Sequence, residues 1–291
     1  MPFRPVPALA AAATALSACG TTYQIPEFSP GDLERASLVV SEERAAAAGL
    51  PPVETAELIA MYEKVVERTE PVAERFCVEQ TEGEPCDFDI RVNPDPAAAP
   101  NAFHTYGEDG RPQIVLNLAF LELVRAPDEL AFVLGHEAGH HIGDHIAAKQ
   151  AQAAGGAVIG AIGTALLLGL AGAAGGGYSP YQTHQNQQTV EAGGMVGAAI
   201  GGQAYSQTYE LESDHLGAYI AERAGYDPVL GSRIFARLSA TDDGAPALGE
   251  AAFWSTHPSS PERVALVERT VTEIAAQRAQ GLTPRPAAKA R

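Results

Sequence analysis

Two histidines four residues apart, with a glutamate directly after the first, carry the strongest chemical pattern in the chain. The segment His136-Glu137-Ala138-Gly139-His140 reads H-E-x-x-H. On an α-helix, positions four apart share a face, so both imidazoles can point at one ion. Zinc suits such donors: it is held tetrahedrally by nitrogen, sulfur and carboxylate groups, and a catalytic zinc keeps three protein ligands and one open position. Glu137 lies beside that face, where it can polarise a water at the ion and carry its proton. His141 and His145 follow closely, but neither completes the set. The extended pattern H-E-x-x-H-x-x-G-x-x-H would need histidine at position 146, which is Ile146. Along a continuing helix, His145 faces about 180° from His136, and His141 also turns away.

The third donor must come from elsewhere. In Tyr209-Glu210-Leu211-Glu212-Ser213-Asp214, the acids Glu210 and Asp214 are four apart and share a face, with Glu212 on the other. One of the two can bind zinc while the other accepts the free N–H of a ligand histidine, the usual outer support of a zinc site. A solvated acidic helix explains the same spacing.

These residues need helices to hold them. Pro127-Asp128-Glu129 opens a helix expected to run to about 150, with acids in its first turn as the helix dipole favours. Helices are also predicted over 54–76, 205–224, 229–239 and 261–280, the last with Ser259 or Ser260 as N-cap and Pro261 in its first turn. Strands are predicted over 87–92, 101–106 and 113–117, with Gly107–Gly110 as a turn. The expected fold class is mainly α with a small β-sheet (α+β), with the H-E-x-x-H motif on a central helix. Residues 153–177 are uncharged and Gly-rich, and Gly193, Gly197 and Gly201 recur four apart. They predict closely packed apolar helices or a flap near the site, in preference to a membrane-dipping hairpin.

The ends of the chain address it to an envelope. Arg4 precedes an uncharged stretch over 8–18, too short to span a bilayer, that ends in Leu16-Ser17-Ala18-Cys19. This resembles a bacterial lipobox, which predicts a signal peptide over 1–18 and lipidation of Cys19. Gly20, rather than an aspartate, leans towards the outer membrane. Residues 19–50 are read as a lipidated tether containing a short helix, 51–281 as the catalytic domain with a Gly/Ala-rich insertion over about 153–204, and 282–291 as a disordered tail. Cys77 and Cys86 remain as a close pair, either a disulfide of an oxidising compartment or two reduced buried thiols. With 19 Lys and Arg against 36 Asp and Glu, the net charge of −17 argues against nucleic acid and against a polybasic hold on lipid.

The stretches DELAFVLGHEAGHHIGDH and YELESDHLGAYIAERAGYDP together resemble peptidase family M48, which includes the CAAX prenyl endopeptidases and a BepA-like branch of periplasmic lipoprotein proteases. The resemblance covers about residues 100–280. It implies a gluzincin-like fold, one zinc on His136, His140 and Glu210, Glu137 as general base, and Asp214 behind a ligand histidine. Ser255-Thr256-His257-Pro258 is similar to a late family loop and makes His257 a plug, a fourth ligand or a transition-state stabiliser, against the plain reading of a surface-loop histidine. The strands around 100–103 and 113–117 imply an edge for an extended peptide. The chain lacks the several membrane spans of the prenyl endopeptidases. The expected function is therefore zinc endopeptidase action on misfolded or stalled envelope proteins, with a chaperone-like binding protein carrying a plugged site as the alternative.

Overall fold

The structure, a computed structural model, describes residues 21–47, 53–175, 187–192, 195, 206–237 and 260–289. In chain order its principal elements are α1 (Pro30–Ala47), α2 (Thr55–Gln80), β1 (Asp89–Asn93), β2 (Ala102–Tyr106), β3 (Pro112–Asn117), the single turn α3 (Leu118–Leu121), α4 (Pro127–Ile142), α5 (His145–Gly175), α6 (Ser206–Arg223), α7 (Pro228–Arg237) and α8 (Pro261–Ala279). This is the expected mainly helical architecture with a small sheet. The described residues divide into two compact units: one from Thr21 to Asp144 together with those from Thr208 onward, the other within His145–Gln207.

The first unit is built around α4. Pro127 starts this helix without losing a needed N–H, and Asp128 and Glu129 occupy its first turn. Every residue from Glu129 to Ile142 is buried, the signature of a helix enclosed on all sides. Against it packs α2, whose buried Leu58, Val65, Ala73 and Phe76 recur at helical spacing. On α7, Ile234 and Phe235 belong to the same core. The sheet has the order β1-β3-β2. β3 is central, parallel to β1 (Ile90 beside Ile114) and antiparallel to β2 (His104 beside Ile114). Its Ile114 and Leu116 are fully buried, and β2 and β3 both touch α4. So of the strands expected to offer an edge, only β2 does.

The structure departs from the sequence reading in three places. α4 ends at Ile142, not near 150, because Asp144 takes a left-handed backbone conformation (φ 53°) and a new helix starts at His145. The presumed tether folds in: α1 buries Ala36 and Val40 against Ala236, Val264 and Ala265 of α7 and α8. The presumed tail is also bound. Gln24 N–H donates to the Ala287 carbonyl at 2.8 Å and Lys289 N–H to that of Thr22 at 2.9 Å. Between them Tyr23 is buried, its hydroxyl donating to the Gln80 carbonyl at 3.1 Å.

Cys77 and Cys86 form a disulfide, closing the turn after α2. In the second unit α5 is one helix of 31 residues. Among the described residues no helix is long and apolar enough to cross a membrane. The stretch 193–202 lies outside the described residues except for Met195.

Candidate metal centre

The site depends on how closely α4 and α6 approach. A Cβ at Gly139 would lie 2.9 Å from the Ser213 carbonyl oxygen and 3.0 Å from its Cα; one at Gly217 would lie 2.8 Å from the His136 nitrogen. Real side chains do not tolerate such contacts with backbone, so the two helices meet backbone to backbone. Gly135 and Gly139 on one, and Ser213 and Gly217 on the other, are each four apart and form the facing stripes. This approach lays Glu210 over the imidazoles of α4.

Three donor residues then converge. His136 Nε2 and His140 Nε2 are 3.1 Å apart. Glu210 Oε2 lies 3.2 Å from the first, and Glu210 Oε1 3.4 Å from the second. Tetrahedral zinc with donors at about 2.0–2.1 Å spaces them about 3.3–3.4 Å apart, so the triangle has the right size. Its chemistry fits too, since two imidazole nitrogens and a carboxylate oxygen facing one another need a cation or a proton between them. His136, Glu137, Glu210, Asp214 and Arg263 are all buried. With neutral imidazoles, three carboxylates and one guanidinium leave two negative charges, which match a divalent ion.

Asp214, one turn beyond Glu210, accepts from His136 Nδ1 at 2.9 Å. An imidazole that donates from Nδ1 presents its Nε2 lone pair, as a ligand must. Glu137 follows His136 directly and is fully buried. Of the histidines set aside from sequence, His141 Nε2 donates to the Pro85 carbonyl at 2.7 Å, and its ring meets Phe88, His104 and Tyr106 edge-on. Burial pushes its pKa down. Neither His141 nor His145 belongs to the metal-competent cluster found among the described residues. Glu212 is not part of that cluster and accepts the Tyr23 N–H at 2.6 Å. Cys19 and His257 lie outside the described residues.

Two imidazoles from an H-E-x-x-H helix, joined by a carboxylate from a second helix, are the donor set of a metallopeptidase. The chain belongs to peptidase family M48, whose model matches residues 63–271. Comparison with curated proteins gives no match.

Sequence reasoning missed several supports. Arg263, from the first turn of α8, grips Asp214 through Nε (2.6 Å) and Nη2 (2.7 Å). A single arginine four residues after a predicted N-cap gives no signal of this. Arg237 Nη2 donates to both carboxylate oxygens of Glu129 at 2.7 Å, fixing α7 to the start of α4. The glycine stripes were legible in principle, since Gly135 and Gly139 already stood four apart on a predicted helix.

The site predicts a pH dependence. Without metal, burial pushes the His136 imidazole down, but hydrogen bonds to Asp214 and Glu210 outweigh this and carry its pKa from 6.5 to about 9. A pKa raised on folding stabilises the metal-free protein fully below about 6.5, and that contribution is lost as pH rises towards about 9. A metal needs the same lone pair as the proton. Metal affinity is therefore expected to rise, and proton release on binding to shrink, over this window. Chelator competition in buffers of different ionisation enthalpy checks it; an affinity flat with pH contradicts it.

Proposed function

We propose that this metallopeptidase is a zinc-dependent endopeptidase of the bacterial envelope, acting on misfolded or stalled proteins at the periplasmic face of the outer membrane. The observation that carries the zinc reading is the donor triangle of His136, His140 and Glu210. A zinc ion held there supplies Lewis acidity towards a peptide carbonyl and a water. Glu137 takes the proton of the attacking water and returns it to the leaving amine. Asp214 keeps His136 oriented through Nδ1. β2 is paired on one side by β3, and its other edge, close to α4, can take up an extended peptide by strand addition. His257 stands six residues before Arg263 and acts as a removable plug or as a donor to the reacting carbonyl.

The envelope assignment, on the BepA-like branch of the family, rests on the lipobox-like Leu16–Cys19, with lipid on Cys19 as the membrane partner. The Cys77–Cys86 disulfide accords with an oxidising compartment.

Zinc content and casein cleavage, measured on a chain starting at Gly20, test this reading. The parent is expected to hold about one zinc, and Glu210→Ala to lose most of it. Cleavage that rises in His257→Ala identifies a plug. Equal zinc in parent and Glu210→Ala overturns the ligand set. A folded parent without zinc and without cleavage overturns the enzyme assignment.

A further inference from the structure

The strongest unassigned chemistry lies behind the donor triangle, in the buried guanidinium of Arg263. Its exposure is 1%, and an isolated cation at that depth is very costly. The protein repays the cost with contacts that all lead to the site. Nε and Nη2 form a two-point fork on Asp214 at 2.6 and 2.7 Å. Nη1 stands 3.5 Å from Glu210 Oε2; Nη2 also lies 3.3 Å from His136 Nδ1, as a neighbour and not as a hydrogen bond, since Nδ1 gives its proton to the same Asp214 carboxylate. Phe235 closes the open face, with Cζ 3.8 Å above its ring centre, and His136 packs against the same ring with centroids 5.3 Å apart.

We propose that Arg263 is a positioning residue of the metal site, acting through Asp214 on His136 and through its charge on Glu210. This deepens the zinc reading and rests on it. Asp214 Oδ1 receives both the His136 Nδ1 contact at 2.9 Å and the Arg263 Nη2 contact at 2.7 Å. A carboxylate held at only one point is free to rotate about χ2. The guanidinium fork, planar and matched to the carboxylate, fixes the plane of Asp214. That plane in turn fixes the rotation of the His136 ring, and so the direction of its Nε2 lone pair. Lysine supplies charge without the fork. Arginine is therefore required for orientation, and a positive charge is required to keep Glu137, Glu210 and Asp214 together in one dry space.

The alternative role for Arg263 is purely mechanical, pinning the start of α8 to α6. The two roles separate in metal affinity of the folded protein and in coupling to Asp214. The test uses the purified full chain in detergent, with zinc affinity read by chelator competition and ligand geometry by the visible spectrum of the cobalt-loaded protein. Arg263→Lys is expected to weaken zinc about 10–100-fold, the usual cost of losing an outer partner of a zinc ligand, and to shift the cobalt spectrum. Asp214→Asn is expected to weaken it similarly, and Arg263→Lys added to Asp214→Asn to cost little more. Should Arg263→Lys not fold, Arg263→Gln, which keeps a planar donor without charge, takes its place. Lowered melting with unchanged zinc affinity and cobalt spectrum overturns the proposal, as do additive losses in the double variant. A wild-type chain that takes up neither zinc nor cobalt overturns the zinc reading itself, and is distinguishable from both.

Discussion

Glu137→Gln is expected to retain about one zinc per chain and to lose peptide cleavage by roughly 10²–10⁴-fold, the usual contribution of a positioned acid–base group. Glu137 lies outside the donor triangle, so the metal does not depend on its charge. It is fully buried one residue beyond His136, and glutamine fills the same volume while being unable to accept a proton at neutral pH. Paired measurements of zinc content and of kcat on a peptide substrate decide the role. Cleavage within about tenfold of the parent would move the base elsewhere. Loss of zinc with loss of cleavage would make Glu137 a ligand or a structural support.

Gly217→Ala is expected to cost about 3 kcal/mol or more, at the upper end of overpacking penalties, and to weaken metal binding in whatever folds. The added methyl would lie 2.8 Å from the His136 nitrogen and 3.0 Å from its Cα. These are backbone atoms at the centre of α4 and cannot swing aside as a side-chain tip does. The helices must separate, and Glu210 travels with α6. For a unit of this size the loss corresponds to a melting decrease of about 6–12 °C. Gly155→Ala is the matched control. It replaces an exposed glycine within α5 with nothing within 4 Å of the new methyl, and is expected to stabilise by about 0.5–1 kcal/mol. An unchanged melting temperature and zinc affinity in Gly217→Ala would mean that close helix approach does not set the site.

Local chemistry was readable before the structure; long-range partnership was not. H-E-x-x-H announces itself because both histidines sit on one helix face. Glu210 and Asp214 announce only a shared face, since nothing in Glu210's own neighbourhood states that α6 crosses α4 at Gly139 and Gly217. Arg263 is the extreme case. Its partner Asp214 is 49 residues away, and its sequence context is that of an ordinary first-turn arginine. The end of α4 was misplaced for a different reason. Gly143 and Asp144 form an adequate stop signal, but the following His145–Ala148 continues so helically in character that the break is masked. Residues 19–50 read as a tether containing a short helix, and 282–291 as a disordered tail, for their content of Ala, Pro and charge. Nothing local states that Tyr23, Ala36 and Val40 of the first stretch fall where the core has room for them.

The clasp between the two chain ends also sets a geometry for anchoring. Thr22 and Gln24 are hydrogen-bonded to residues 287–289, and Tyr23 is bonded to Glu212 on the helix that carries Glu210. With lipid on Cys19, as proposed, only Gly20 separates the acyl-bearing residue from Thr21, and the two Cα–Cα steps make a leash of about 7 Å at full extension. A free linker over 20–50 would instead have ranged about 30 Å on average. Such an enzyme works like a tool bolted to a bench. Held in that way, its clientele would be whatever passes along the membrane surface, and lengthening the leash would be the direct way to change it.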